Sequence, residues 1–275
     1  MATGFCHAAP FEPRWMQDML ELFVDWLPQA LAGWEVGLLV ATAAFTSFLT
    51  ASVGVGGGVF LLAVLSLIMP VAAIIPVHGL VQFGSNANRA LMLWRDISWR
   101  CVLYFLPGAI LGAALASVFL VQLPLPVLQL AIASFILYLC WGPRLPRLML
   151  GDWGTLVAGG ITTFLSHFVG ATGPLVAAFI KQKHADSRQS SVSTFAATMV
   201  LQHGPKAVVY GATGFVFKEW LLLVVLMIAA GAIGTKLGLL QLARLTDRRF
   251  TLLFNGVLTL LCLRLLWQAG SALLA

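Results

Sequence analysis

Charge is scarce in this sequence. Asp, Glu, Lys and Arg make up only 9% of its 275 residues, against about 25% in soluble domains. That shortage excludes a soluble globular protein and a disordered chain alike, since 60% of the residues are hydrophobic and the mean hydropathy is +0.95. Strict two-residue alternation in short segments is also missing, which excludes an outer-membrane barrel. The four cysteines, Cys6, Cys101, Cys140 and Cys262, form no CxxC pair and no disulfide framework, and read as structural filler. No HExxH, GxSxG or Walker loop is present, so neither an enzyme nor nucleotide-driven pumping is expected, and no metal or cofactor is implied. The net charge of +6 is spread over small clusters between apolar runs, which argues against nucleic-acid binding.

Long apolar runs remain, close to or above the ~20 residues of a spanning helix, so the fold class is all-α and polytopic in a lipid bilayer. Residues 1–35 differ from the rest. They hold Glu12, Asp18, Glu21, Asp25 and Glu35 against Arg14 and lack the basic start and cleavage site of a signal peptide. Trp15 to Ala30 is expected to form an amphipathic surface helix with Trp15, Leu20, Phe23 and Leu27 on one side.

The chain is built twice. Phe48 to Val59, with its run Val53-Gly54-Val55-Gly56-Gly57-Gly58, aligns without gaps on Phe164 to Leu175, with Gly170-Ala171-Thr172-Gly173-Pro174, at an offset of 116. Asn88-Arg89-Ala90 meets Pro205-Lys206-Ala207 one residue later. The repeats cover 36–142 and 153–269. Each is expected to hold one Gly-broken element, 36–69 or 153–180, and three spans: 76–94, 101–121 and 127–142, then 190–210, 220–240 and 250–269. If both broken elements are re-entrant hairpins and the acidic start lies outside, ten loop residues fall on the cytoplasmic side: Arg95, Arg100, Arg144, Arg147, Lys181, Lys183, Arg188, Arg244, Arg248 and Arg249. If both elements crossed instead, half of these clusters would face outward. Hairpins give an odd number of crossings per half, hence inverted repeats, the plan of many secondary transporters.

The VGVGGG break, the GATGPL break and the helix TFAATMVLQHGPKAVVYG followed by FKEW resemble the TauE/SafE family of sulfite exporters over about 36–269, most specifically at Gly170 to Leu175 with Gln202, His203, Lys206 and Tyr210. The resemblance implies a carrier of sulfite, sulfoacetate, thiosulfate or a related organosulfonate in the bacterial inner membrane.

Read from the residues themselves, a helix that opens after each break offers unpaired N–H groups and a positive dipole end to a small oxyanion. Gly54, Gly56, Gly57, Gly58, Gly170 and Gly173 admit close backbone approach, Thr172 adds a hydroxyl, and Pro174 suits a first helical turn. Glycines in membrane helices also serve plain packing. Arg89 and Lys206, aligned across the repeat, are expected to flank a midplane site, with snorkelling to the interface as the rival reading. His203, on the Lys206 face, could donate to the anion or carry a coupling proton, with Asn86 and Gln202 as neutral ligands. His78 and His167 read as partners in helix-to-helix hydrogen bonds. An anion channel and a membrane subunit with purely structural breaks are the alternatives. Small residues at Gly108, Gly112, Ala116, Gly231, Gly234 and Gly238 suit either intrachain packing or a homodimer.

Overall fold

The computed structural model describes residues 26–119, 124–142, 151–184, 187–241 and 248–274, and these are helical with no strand among them. Ten α-helices follow in order: α1 (Gly33–Val53), α2 (Gly57–Ile68), α3 (Val71–Met92), α4 (Trp99–Phe119), α5 (Leu125–Trp141), α6 (Asp152–Val169), α7 (Gly173–Lys183), α8 (Arg188–Ala212), α9 (Leu221–Gln241) and α10 (Arg248–Leu274). Four of the described segments are long and apolar enough to cross a membrane: Gly33–Val53, Trp99–Phe119, Phe217–Gln241 and Asn255–Leu274. The chain is a multi-pass membrane protein. The sequence predicts six ordinary spans, and α3, α5 and α8 fall short of that measure for different reasons. α5 has 17 residues, while α3 and α8 carry buried polar residues such as Asn86, Arg89, Gln202 and Lys206 on their inner faces.

One expectation is corrected. Residues 26–30, the last stretch of the expected surface helix, form turns, as Pro28 disfavours helical continuation through them. The rest of that helix lies outside the described residues, as do Arg144, Arg147 and Arg244.

Each break is made by glycine. Gly54 and Gly56 have φ of 98° and 110°, and Gly170 has φ of 86°, a backbone region costly for residues with a Cβ. After the first break the chain comes back beside α1: the Gly57 N–H donates to Thr50 Oγ1 at 3.1 Å, and a methyl group on Gly57 would overlap the Thr46 carbonyl. α2 then lies in the core, with Leu61, Leu62, Ala63 and Leu65 fully buried.

Packing follows the repeat. α1 packs most extensively on α9, α6 on α4, α3 on α8, and α5 on α10. Exchanging the halves leaves this scheme unchanged. Gly112 meets Gly160 and Phe164 where Gly234 meets Ala44 and Phe48, and these two pairs of partners lie at the same offset of 116. Gly108 likewise has no room for a side chain against Leu156, nor Gly238 against Phe48, and Gly231 faces Ser47 and Ser85. These glycines are engaged within the chain, where they let helix backbones approach closely. The same contacts give direction. Gly108 and Gly112 against Leu156 and Gly160 make α4 and α6 parallel, and Gly234 and Gly238 against Ala44 and Phe48 make α1 and α9 parallel. Gln129 with Gln268 and Trp141 with Thr259 make α5 and α10 antiparallel. Gly79 beside Lys206 and Phe83 beside Gly204 do the same for α3 and α8.

Candidate functional site

The tips of the two broken elements meet inside the bundle. Gly170 lies against Leu62 of α2 so closely that a Cβ there would press on the leucine methyls at 2.9 Å. Between the breaks is a small cavity of about 20 Å³, room for about one water. Val55, Gly56, Gly58 and Val59 line it from the first break, and Ala171, Gly173 and Pro174 from the second. His78, Gln82 and Asn86 come from α3 and Phe195, Met199 and His203 from α8.

Two helices begin at this cavity. In α2 the first intrahelical acceptor is the Gly56 carbonyl, taken by Phe60, while Thr50 takes the Gly57 N–H. Among the described residues the N–H groups of Gly58 and Val59 have no acceptor. In α7 Pro174 has no N–H, Leu175 and Val176 both donate to the Thr172 carbonyl, and the Gly173 N–H has no acceptor among the described residues. Three orphan donors and two positive dipole ends thus border one small space, the local chemistry of an oxyanion site.

Around this centre the polar side chains form two groups. On α3, Arg89 Nη1 donates to Asn86 Oδ1 at 3.0 Å, and Asn86 Nδ2 donates to the Gln82 carbonyl at 2.8 Å. Arg89 is 1% exposed and its Nε has no partner among the described residues. On α8, Gln202 Nε2 donates to Thr172 Oγ1 at 2.9 Å, which donates in turn to the Thr162 carbonyl at 3.0 Å. One turn on, Lys206 Nζ donates to the Gly170 carbonyl at 2.8 Å, and Tyr210 donates to the His167 carbonyl at 2.6 Å. Both close the C-terminal end of α6, where a helix exposes unpaired carbonyls and favours a basic side chain. Gly79 leaves the space through which the Lys206 stem passes.

Of the residues singled out by sequence, Gly56, Gly58, Asn86, Gly173 and His203 share the cavity wall. Gly54, Gly57, Gly170, Thr172, Gln202, Arg89 and Lys206 stand behind it as turn, packing or hydrogen-bonding residues. Arg89 and Lys206 align across the repeat and yet differ in partner, since Arg89 bonds within its own helix and Lys206 bonds to a break. Both are buried and do not snorkel. Thr50 and Gln82, which the sequence does not single out, also line the cavity. The i, i+4 spacing of Gln82 and Asn86 on one helix face was the available signal.

A second space opens at the end of the bundle that holds the start of α3 and the end of α8. This vestibule of about 490 Å³ is lined by Pro70, Val71 and Ile75, by Thr213 to Val216, and by Glu219 and Trp220, and it ends at His167, Phe168 and Tyr210. Gly170 separates it in sequence from the Ala171 and Gly173 that line the small cavity between the breaks. At the opposite end, Asp152 joins Arg100 at 2.7 Å and Lys183 at 3.7 Å, and Arg188 Nη2 donates to the Ser52 carbonyl at 2.8 Å.

No curated protein and no solved structure matches the chain. Residues 39–265, which include both breaks, the cavity and the buried basic groups, match the sequence model of the family described as Sulfite exporter TauE/SafE. The chain belongs to the sulfite exporter TauE/SafE family.

Proposed function

We propose that the protein is a secondary transporter that moves a small sulfur-containing anion, such as sulfite, thiosulfate, sulfoacetate or another organosulfonate, across the inner membrane by alternating access. One observation carries this reading. Arg89 and Lys206 are buried within the bundle, and no carboxylate among the described residues is buried with them: Glu35, Asp96, Asp152 and Glu219 all keep contact with the surface. Buried basic groups without a counter-charge are costly, and an anion entering the cavity between the helix N-termini supplies that charge.

The substrate ligands are the N–H groups of Gly58 and Gly173, with Gly56, Asn86 and His203 on the cavity wall. Gly54, Gly57, Gly170, Thr172, Gln202, Arg89 and Lys206 shape and charge the site from behind. Antiparallel packing of equivalent helices, α3 on α8 and α5 on α10, supports inverted repeats, and the return of Gly57 to Thr46 supports a re-entrant hairpin. The basic end with Arg100, Lys183 and Arg188 belongs to the cytoplasm and the vestibule to the outside.

Flux of sulfite, thiosulfate, sulfoacetate and chloride into proteoliposomes tests the reading. Saturable uptake of a sulfur anion, reduced at least tenfold in Lys206→Gln at unchanged yield of folded protein, is expected. A non-saturating chloride conductance would instead make the protein a channel, and no flux of any anion would leave the breaks a structural role.

A further inference from the structure

His78 is fully buried on α3 and lines the small cavity between the breaks. Its Nε2 lies 2.9 Å from the Gly58 carbonyl. A carbonyl only accepts, so Nε2 carries the hydrogen and Nδ1 of the neutral ring is left with a lone pair. That Nδ1 is buried without a partner among the described residues, and so is Nδ1 of His203, whose ring meets His78 edge to face with centroids 5.7 Å apart. Beside the backbone N–H donors of the cavity, the wall residue His78 thus holds a buried nitrogen that can accept a hydrogen.

An oxyanion offers only lone pairs, and it cannot face the bare Nδ1 of His78 favourably. A proton between the two turns repulsion into a charge-assisted hydrogen bond. Resting on the transport reading above, we infer that the anion binds together with one proton, held between a ligand oxygen and Nδ1 of His78, and that the two cross as a pair. The proton comes from the water on the side where the anion enters and returns to water on the other side.

The surroundings suit this role. The titratable groups near His78 are His203 and Lys206, both on α8, with His167 of α6 beyond them. α2 contributes a carbonyl and no titratable side chain, and the described α3 and α7 residues on the cavity wall are neutral. No carboxylate among the described residues lines the cavity to compete for the proton. A further positive charge here gains a partner only when the anion is present, which links proton and anion occupancy. The fixed Nε2–H distinguishes His78 from His203, which the sequence favours for a coupling proton but which has no carbonyl among its described hydrogen-bond partners to fix its tautomer.

Calorimetric titration of the purified protein with thiosulfate, in buffers of different ionisation enthalpy, reads the proton directly. Thiosulfate takes up no proton of its own near neutral pH, so uptake belongs to the protein. About one proton per bound thiosulfate is expected for the natural chain, falling to about zero in His78→Gln. Gln keeps an amide N–H for the Gly58 carbonyl and has no titratable nitrogen, and an unchanged melting temperature checks that the fold is intact. Binding without proton uptake in the natural chain overturns the inference and leaves the transport reading standing. Uptake that persists in His78→Gln overturns the assignment to His78. Failure of both thiosulfate and sulfite to bind overturns the transport reading along with it.

Discussion

At the first break the turn itself is closed by its own segment, with Thr50 on the Gly57 N–H and Gly57 pressed on Thr46, while His78 of α3 and Arg188 of α8 bond the flanking Gly58 and Ser52 carbonyls. At the second it is held from another helix, by Gln202, Lys206 and Tyr210 of α8. Both turn on a glycine of positive φ at aligned positions, Gly54 and Gly170. A break closed by backbone contact opens only if helices separate. One closed by three side-chain hydrogen bonds opens when those bonds are exchanged for others, and the vestibule already reaches it at His167 and Tyr210. The difference predicts that the second break yields before the first.

Substitution at the breaks exposes this contrast most sharply. Gly57→Ala places a methyl group into the Thr46 carbonyl, and overpacking of this kind costs at least about 1–3 kcal/mol, so the yield of monodisperse protein on size-exclusion chromatography should fall severalfold or more. Gly173→Ala meets only Phe195 and Met199, at 3.6 and 3.7 Å. It should fold normally and, by narrowing the cavity, weaken anion binding about tenfold, equivalent to about 1.4 kcal/mol. Equal loss of fold in both variants would erase the distinction drawn here.

Tyr210→Phe removes the bond to the His167 carbonyl, worth about 1 kcal/mol. Amide hydrogen exchange at the end of α6 should accelerate about fivefold while exchange around Gly54 to Gly57 stays as it was. Acceleration at both breaks would mean that they open as one unit. The smallest effect belongs to Asp152→Asn. Its bonds to Arg100 and Lys183 lie near the surface, where ion pairs contribute little. A melting-temperature shift of about 2 °C or less, shrinking in high salt, is expected.

Much of this was legible in the sequence because glycine marks it. The breaks at 54–58 and 170–173, the internal offset and the polar faces of α3 and α8 follow from residue type and spacing. The site's inner wiring was not. Lys206 and Tyr210 choose backbone carbonyls, His78 chooses another, and a carbonyl has no signature of its own among the residues. The alignment of Arg89 with Lys206 predicted equivalent roles, but equivalence of position did not bring equivalence of partner, because the residue three positions before Arg89 is Asn86, within its reach, while that before Lys206 is His203.

α8 is also where both tips are anchored, the first through Arg188 at its start and the second through Lys206 and Tyr210 near its end. Pro205 lies between those anchors. Its ring nitrogen cannot donate to the Leu201 carbonyl, so the helix has one rung fewer to break where it would bend. A hinge at Pro205 would swing Lys206 and Tyr210 while Arg188 stayed in place, letting one tip be drawn aside while the other kept its grip.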